Sequence, residues 1–232
     1  MVLCIRQGRT GNAARVGYEI VRDSGICVIG MSPGNSYFNK DRISDLIKFS
    51  SRVFSQAIVM VPDVPAEHTY KALGYSGNKA RQKARLNGNT LQNHCKRAIG
   101  SLEDHVKDRF SVIEWTQDVE GNPIYGQAIR EIKELYWSNP HFSESARRET
   151  RSVLEPKLKD SGGIGPAVQE GVWYLLKEFA FLRACPLMFD LERVAYLYHK
   201  PWGIFEDYVN GVYDGRIHHG LGFLIADHVM AQ

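Results

Sequence analysis

Two short apolar runs, at residues 25–30 (GICVIG) and 57–63 (AIVMVPD), bracket a segment in which Ile43, Leu46, Ile47, Val53 and Phe54 recur at helical spacing. The runs are rich in β-branched residues and do not alternate with polar ones, so each reads as a buried strand. Parallel strands need a long crossover, usually a helix, and the segment between these two runs supplies one. The resulting β-α-β unit restricts the chain to the α/β class.

The remaining segments continue the alternation. A helix is predicted over 78–99, with a breaker signal at Asn87-Gly88-Asn89, then a strand over 109–115, and helices over 126–137 and 143–159. A loop at 160–167 leads to a helix begun by Pro166 and running to about Ala184, with Val168, Val172, Leu175, Leu176, Phe179 and Leu182 as its core stripe. Residues 193–200 alternate as a strand, and 204–215 read as a late helix closed by glycine. At 232 residues and 44% apolar content, the expectation is a single Rossmann-like domain over 1–232 with a mostly parallel sheet.

Cys4, Cys27, Cys95 and Cys185 are scattered without a C-x-x-C pair, which suits reduced thiols and gives no pattern for a disulfide framework or a metal site. No apolar stretch reaches the roughly 18 residues that span a bilayer, and residues 1–15 lack the apolar core of a secretion signal. A cytoplasmic protein without membrane contact is expected. The net charge of +3 is unevenly spread: residues 68–102 hold Lys71, Lys79, Arg81, Lys83, Arg85, Lys96 and Arg97 and no acid. Such a band suits a phosphate-rich partner, and it would also suit a solvated helix face.

The first strand ends in Gly30-Met31-Ser32-Pro33-Gly34, which satisfies the G-x-S-x-G pattern of a hydrolase nucleophile elbow. An elbow needs several strands before it and a helix directly after its serine. Here at most one strand precedes Ser32, Asn35-Ser36-Tyr37-Phe38 delay the helix, and no H-G-G-G-like segment offers a second oxyanion donor. His199, His218, His219 and His228 lie downstream, so order alone leaves a triad open. A serine hydrolase or esterase is the alternative reading, and a non-catalytic tRNA-binding protein is a third.

Three separated blocks carry a more specific signal: GMSPGNSYF with Ser32 and Asn35, EGVWYLLKEFAFL with Tyr174 and Glu178, and YLYHKPW with Tyr198 and His199. Together, and in this order, they resemble the cyclodipeptide synthases, in the subfamily marked by asparagine, tyrosine and histidine. Tyr174 and Glu178 are four apart and share a helix face, where a phenol and a carboxylate suit binding and deprotonating an α-ammonium group; the same pair would suit a solvated face. Tyr198 and His199 are neighbours on a strand and point to opposite faces unless the strand ends there. Asn35 suits a side-chain-to-backbone bond that holds the turn.

The resemblance implies that Ser32 takes an aminoacyl group from a first aminoacyl-tRNA, beside Tyr198, and that a second aminoacyl-tRNA extends it before the ring closes as a 2,5-diketopiperazine. It implies that His199 supports the site from behind, and that Lys79, Arg81, Lys83, Arg85, Lys96 and Arg97 meet the tRNA acceptor arm. The implied fold is similar to the catalytic domain of the class Ic (tyrosyl and tryptophanyl) tRNA synthetases. Their H-I-G-H and K-M-S-K-S segments are missing from this sequence, so two charged tRNAs, no ATP, no cofactor and no metal are expected.

For the first amino acid, Val28, Gly30, Met60, Phe181 and Tyr196 are the expected pocket; several are bulky, which predicts a small residue, alanine or glycine. For the second, SESARRETRS offers Arg147 and Arg151 on one helix face. A guanidinium pair suits a carboxylate, which points to glutamate, while surface ion pairs with Glu144 or Glu155 are equally in reach.

Overall fold

A computed structural model describes residues 2–6, 11–158 and 163–229; the 160–162 part of the expected loop lies outside them. In chain order the elements are β1 (Val2–Arg6), α1 (Asn12–Arg22), β2 (Ile26–Gly30), α2 (Lys40–Val53), β3 (Gln56–Met60), α3 (Ala66–Ala72), α4 (Gly77–Gly100), α5 (Asp104–Lys107) and β4 (Phe110–Ile113). They continue with α6 (Pro123–Ser138), α7 (Pro140–Leu154), α8 (Ile164–Met188), β5 (Val194–Tyr198), α9 (Gly203–Val209) and β6 (Leu221–Val229). A π-helical turn spans Trp115–Glu120, and a 3-10 turn, Glu155–Lys157, closes α7.

The strands form one sheet in the order β1-β6-β5-β2-β3-β4. All its pairs are parallel except β1 with β6 at the edge. From β2 the chain moves outward to β3 and β4, and later returns on the other side of β2 with β5. The gap between the ends of β2 and β5 is therefore the switch point of the sheet, where open α/β folds place their ligands.

Both faces of the sheet are covered. Val28, Ile58, Met60 and Tyr196 face a core shared with α6, α7, α8 and α9, while Cys27, Ile29, Val59 and Leu197 face α1, α2 and α4. Burial on both sides explains why the strands read as continuous apolar runs. α8 is buried almost all round in its middle turns: the expected stripe is buried, and so are Ala180 and Phe181 beside it.

The structure extends the sequence reading in several places. β1, α1, α3 and β6 are additional elements, so β1 also precedes Ser32. α1 buries Ala13, Ala14, Val16, Gly17 and Ile20, so three small residues and two large ones form its inner face. Gly17 lies on Gly222 of β6 with backbone against backbone, leaving no room for a Cβ on Gly222. α4 runs unbroken through Gly88, because that glycine lets the helix approach Asp63, whose Cβ a side chain at 88 would overlap. α6 and α7 each start at a proline behind an asparagine cap: Asn122 accepts from the Ile124 N–H and Asn139 from the Phe142 N–H. α8 continues past Ala184, through Pro186, to Met188.

Candidate active site

Ser32 opens a tight turn just beyond β2. The Asn35 N–H donates to the Ser32 carbonyl at 3.1 Å, Pro33 occupies the second position, and Gly34 takes φ 78° at the third. This is the sequence pattern of a type II turn, with proline setting one torsion and glycine accepting the left-handed one. Asn35 Oδ1 accepts the Tyr37 N–H at 3.0 Å, the predicted side-chain-to-backbone bond. Ser32 is not among the residues with positive φ, and α2 starts only at Lys40, so the loop is a turn rather than a hydrolase elbow.

Tyr198 is the last residue of β5, and its hydroxyl lies 2.8 Å from Ser32 Oγ. The strand ends there, which frees His199 from strict alternation, and both side chains reach the same cavity. Asn35 Nδ2 donates to His199 Nε2 at 3.2 Å, and the imidazole stacks on Tyr37 with centroids 4.0 Å apart. Burial, then Lys200 and Arg42, push His199 down to about 4, so near neutral pH it is an uncharged acceptor. It braces the serine turn through Asn35 and Tyr37, and among the described residues it has no hydrogen bond to Ser32.

Tyr174 and Glu178 project from α8 into the same cavity. The Tyr196 hydroxyl donates to Glu178 Oε1 at 3.1 Å. Burial raises the Glu178 carboxyl to about 7, against the opposing pull of Tyr196 and Lys200, so it is poised to take or give a proton near neutrality. Burial also holds the phenols of Tyr174, Tyr196 and Tyr198 above their ordinary value, helped by the charge of Glu178, and keeps them protonated. The Tyr174 hydroxyl is buried close to Ser32, which pulls against the rise, and it makes no hydrogen bond of good geometry among the described residues.

The cavity measures about 230 Å³. Ser32, Tyr174, Glu178, Tyr196 and Tyr198 form its reactive wall; Thr150, Val153, Leu154 and Lys157 from the α7 end, with Glu149 and Lys200, line another part of it. Of the expected first-residue pocket, Tyr196 alone lines the cavity. Val28, Met60 and Phe181 are filled core behind it, because they point into the layer between sheet and α8 that Trp115 also packs. Gly30 touches the site indirectly: a Cβ there would overlap the Tyr196 hydroxyl.

Arg147 and Arg151 do not line this cavity. α7 buries Ala146, Thr150 and Leu154, and each arginine lies one residue round the helix from that stripe. Both are exposed, and Arg147 donates to the Tyr136 hydroxyl at 2.9 Å. Lys157 and Lys200 are the cations in the cavity wall that sequence reasoning missed. Lys200 stood beside the histidine of the YLYHKPW block, but Lys157 carries no local signal.

Lys79, Arg81, Lys83, Arg85, Lys96 and Arg97 are all exposed on α4. Arg81 and Lys96 are answered by Glu67 and Glu114, while Lys79, Lys83, Arg85 and Arg97 make no ion pair among the described residues. The helix adjoins the serine turn: Asn87 Nδ2 donates to the Tyr70 hydroxyl, against which Gly34 packs.

A serine paired with a phenol, beside a buried carboxyl at a sheet switch point, suits acyl transfer between activated esters better than activation of water. The chain belongs to the cyclodipeptide synthase family, whose model matches residues 12–227, and it is therefore a tRNA-dependent enzyme that forms cyclodipeptides. It is 24% identical to the cyclo(L-leucyl-L-leucyl) synthase of Bacillus subtilis over 88% of this chain and 83% of that one. A cyclodipeptide synthase structure from Staphylococcus haemolyticus superposes with a TM-score of 0.82 at 17% identity, covering 98% of this chain and 100% of that one. A Mycobacterium tuberculosis structure that relates cyclodipeptide synthetases to type I tRNA synthetases gives 0.74 at 21% identity, with 96% of each chain covered. One from Candidatus Glomeribacter gigasporarum, bound to Phe-tRNAPhe, gives 0.62 at 14% identity over 90% of this chain and 89% of that one. Among the described residues no helix is long and apolar enough to cross a membrane.

Proposed function

We propose that residues 1–232 work as one unit that makes a 2,5-diketopiperazine from two aminoacyl-tRNAs, by successive acyl transfers through Ser32. Ser32 Oγ attacks the ester carbonyl of the first aminoacyl-tRNA, and the ribose oxygen leaves with a proton as free tRNA. The α-ammonium of the acyl-enzyme, held by Tyr174 and Glu178, loses a proton to Glu178, and its nitrogen attacks the second ester. An amide forms and the second tRNA departs. The new terminal amine then attacks the Ser32 ester, the six-membered ring closes, and Tyr198 passes a proton back to Ser32 Oγ. The ester bonds arrive activated, so no ATP is consumed, and the substrates suit a cytoplasmic location.

The observation that carries this reading is the 2.8 Å contact between Ser32 Oγ and Tyr198 Oη in one cavity with Tyr174 and Glu178. Asn35, Tyr198 and His199 stand together around the turn, which supports membership in the Asn-Tyr-His subfamily. The first residue is small, glycine or alanine, because the Tyr196 ring fills the space behind the serine, with its hydroxyl tied to Glu178. Incubation of the protein with aminoacyl-tRNAs, followed by mass spectrometry, is expected to give diketopiperazines. Release of free amino acids alone would return the assignment to a hydrolase, and tRNA retention without turnover to a binding protein.

The tRNA backbone is taken on α4. Neutralising Lys79, Lys83, Arg85 and Arg97 together by glutamine is expected to weaken tRNA binding and flatten its salt dependence, by roughly 0.7–0.9 in log–log slope for each phosphate that is no longer neutralised. Binding titrations across ionic strengths test this; an unchanged slope would remove α4 from the interface.

A further inference from the structure

We infer that the cavity selects an acidic second amino acid, whose side-chain carboxylate is received by Lys157, Lys200 and the hydroxyl of Thr150. This rests on the synthase reading of Ser32 and adds the class of the second substrate to it. Thr150 and Lys157 are seven apart, at two helical turns along the α7 end, and Lys200 follows β5 two residues beyond Tyr198. All three line the cavity.

The two lysines are not equally answered. Facing the two lysines are Glu149 and Glu178. Glu149 Oε1 forms a loose ion pair with Lys200 Nζ at 3.8 Å, too long for a hydrogen bond, and Glu178 is already bonded by Tyr196, so Lys157 has no ion pair among the described residues. Lys157 is disfavoured as a cation first by burial and then by Lys200, so the two ammonium groups feel each other. Thr150 is 6% exposed, and its Oγ1 is buried with no hydrogen-bond partner among the described residues. A buried hydroxyl without a partner is costly, as is a partly desolvated ammonium. One carboxylate answers all three groups, accepting charge-assisted bonds from the lysines and a bond from the threonine. The first side chain lies elsewhere, against the uncharged ring of Tyr196.

The terminal phosphate of the tRNA carries the same kind of charge, and competition separates the two sources. The full chain is supplied with alanyl-tRNA or glycyl-tRNA, plus equal amounts of tRNAs carrying glutamate, its neutral isostere glutamine, and leucine. Diketopiperazine masses and the intact mass of the protein are read together. The glutamate product is expected to exceed the glutamine product by about 10- to 100-fold, the discrimination of a charged hydrogen-bond partner. Lys157→Met and Lys200→Met, which keep the aliphatic stems, should each lower that ratio, and the double variant Lys157→Glu/Lys200→Glu should bring it below one. A ratio is independent of how much of a variant is folded.

A wild-type ratio near one overturns the inference. So does a uniform fall of every product in the variants with the ratio unchanged, which would assign the lysines to the phosphate. In either case an acyl adduct and diketopiperazines would still be seen and the synthase reading would stand. Their complete absence from the wild-type protein would remove that reading and the inference with it.

Discussion

Ser32→Ala should abolish the covalent aminoacyl adduct and lower cyclodipeptide formation by at least about three orders of magnitude. The loss is large because, in the proposed reaction, the serine is both the acceptor of the first acyl group and the leaving group of the last step. No neighbouring group can replace it. Tyr198 Oη, the nearest candidate at 2.8 Å, is held as a neutral phenol by burial and by the charge of Glu178. His199 is occupied by Asn35 through Nε2 and is stacked on Tyr37. The variant should fold normally, since it removes one hydroxyl from a turn held by the Ser32 carbonyl, Pro33 and Gly34 rather than by Oγ. Intact-mass measurement after incubation with charged tRNA, alongside product analysis, tests this. Product formation within tenfold of wild type would mean that the two amino acids meet without a serine ester, and the ping-pong order would be wrong.

The parts of this site legible in the sequence are those set by local rules. Ser32-Pro33-Gly34-Asn35 announces its turn through proline and glycine, and Tyr174 and Glu178 announce their common face through spacing. The end of β5 decides how Tyr198 and His199 share the cavity, and that end is fixed by the chain leaving the sheet, which residue types do not specify. The space beside the first-residue positions is not legible for a similar reason. Val28, Met60 and Phe181 do converge behind the serine, but whether converging side chains leave a hole or fill it depends on third parties such as Trp115 and Tyr196. α1 is hard to read because three of its five buried residues, Ala13, Ala14 and Gly17, are small; only Val16 and Ile20 mark its apolar face, and Gly17 sets the helix backbone on Gly222 of β6. Arg147 and Arg151 were attractive by charge alone; the phase of α7, set by Ala146, Thr150 and Leu154, turned them to solvent.

Glu178→Gln should separate the chemistry from the stability of the same buried group. Glutamine keeps an acceptor for the Tyr196 hydroxyl but takes no proton, so amide formation should fall by about 10²- to 10⁴-fold and the Ser32 adduct should accumulate. In the wild type the rate of that step should rise with pH and level off above about 7, where the carboxylate is formed, and the variant should lose this dependence. Stability runs the other way. Burial raises the folded-state value from 4.5 to about 7, so the native protein binds more protons than the unfolded chain between those limits. Stability attached to Glu178 is therefore fully present below the lower limit and is lost as pH rises through the upper one. The variant carries no such penalty and should be more stable than wild type above that range, by on the order of 3 kcal/mol, with the difference closing in acid. Melting temperatures at a series of pH values test it: a difference that does not change with pH would show that the carboxyl is not held neutral, while amide formation by the variant at the wild-type rate would remove Glu178 as the base. A gain in stability at the pH where activity collapses is the expected signature of a carboxyl kept in a costly place because the reaction needs it there.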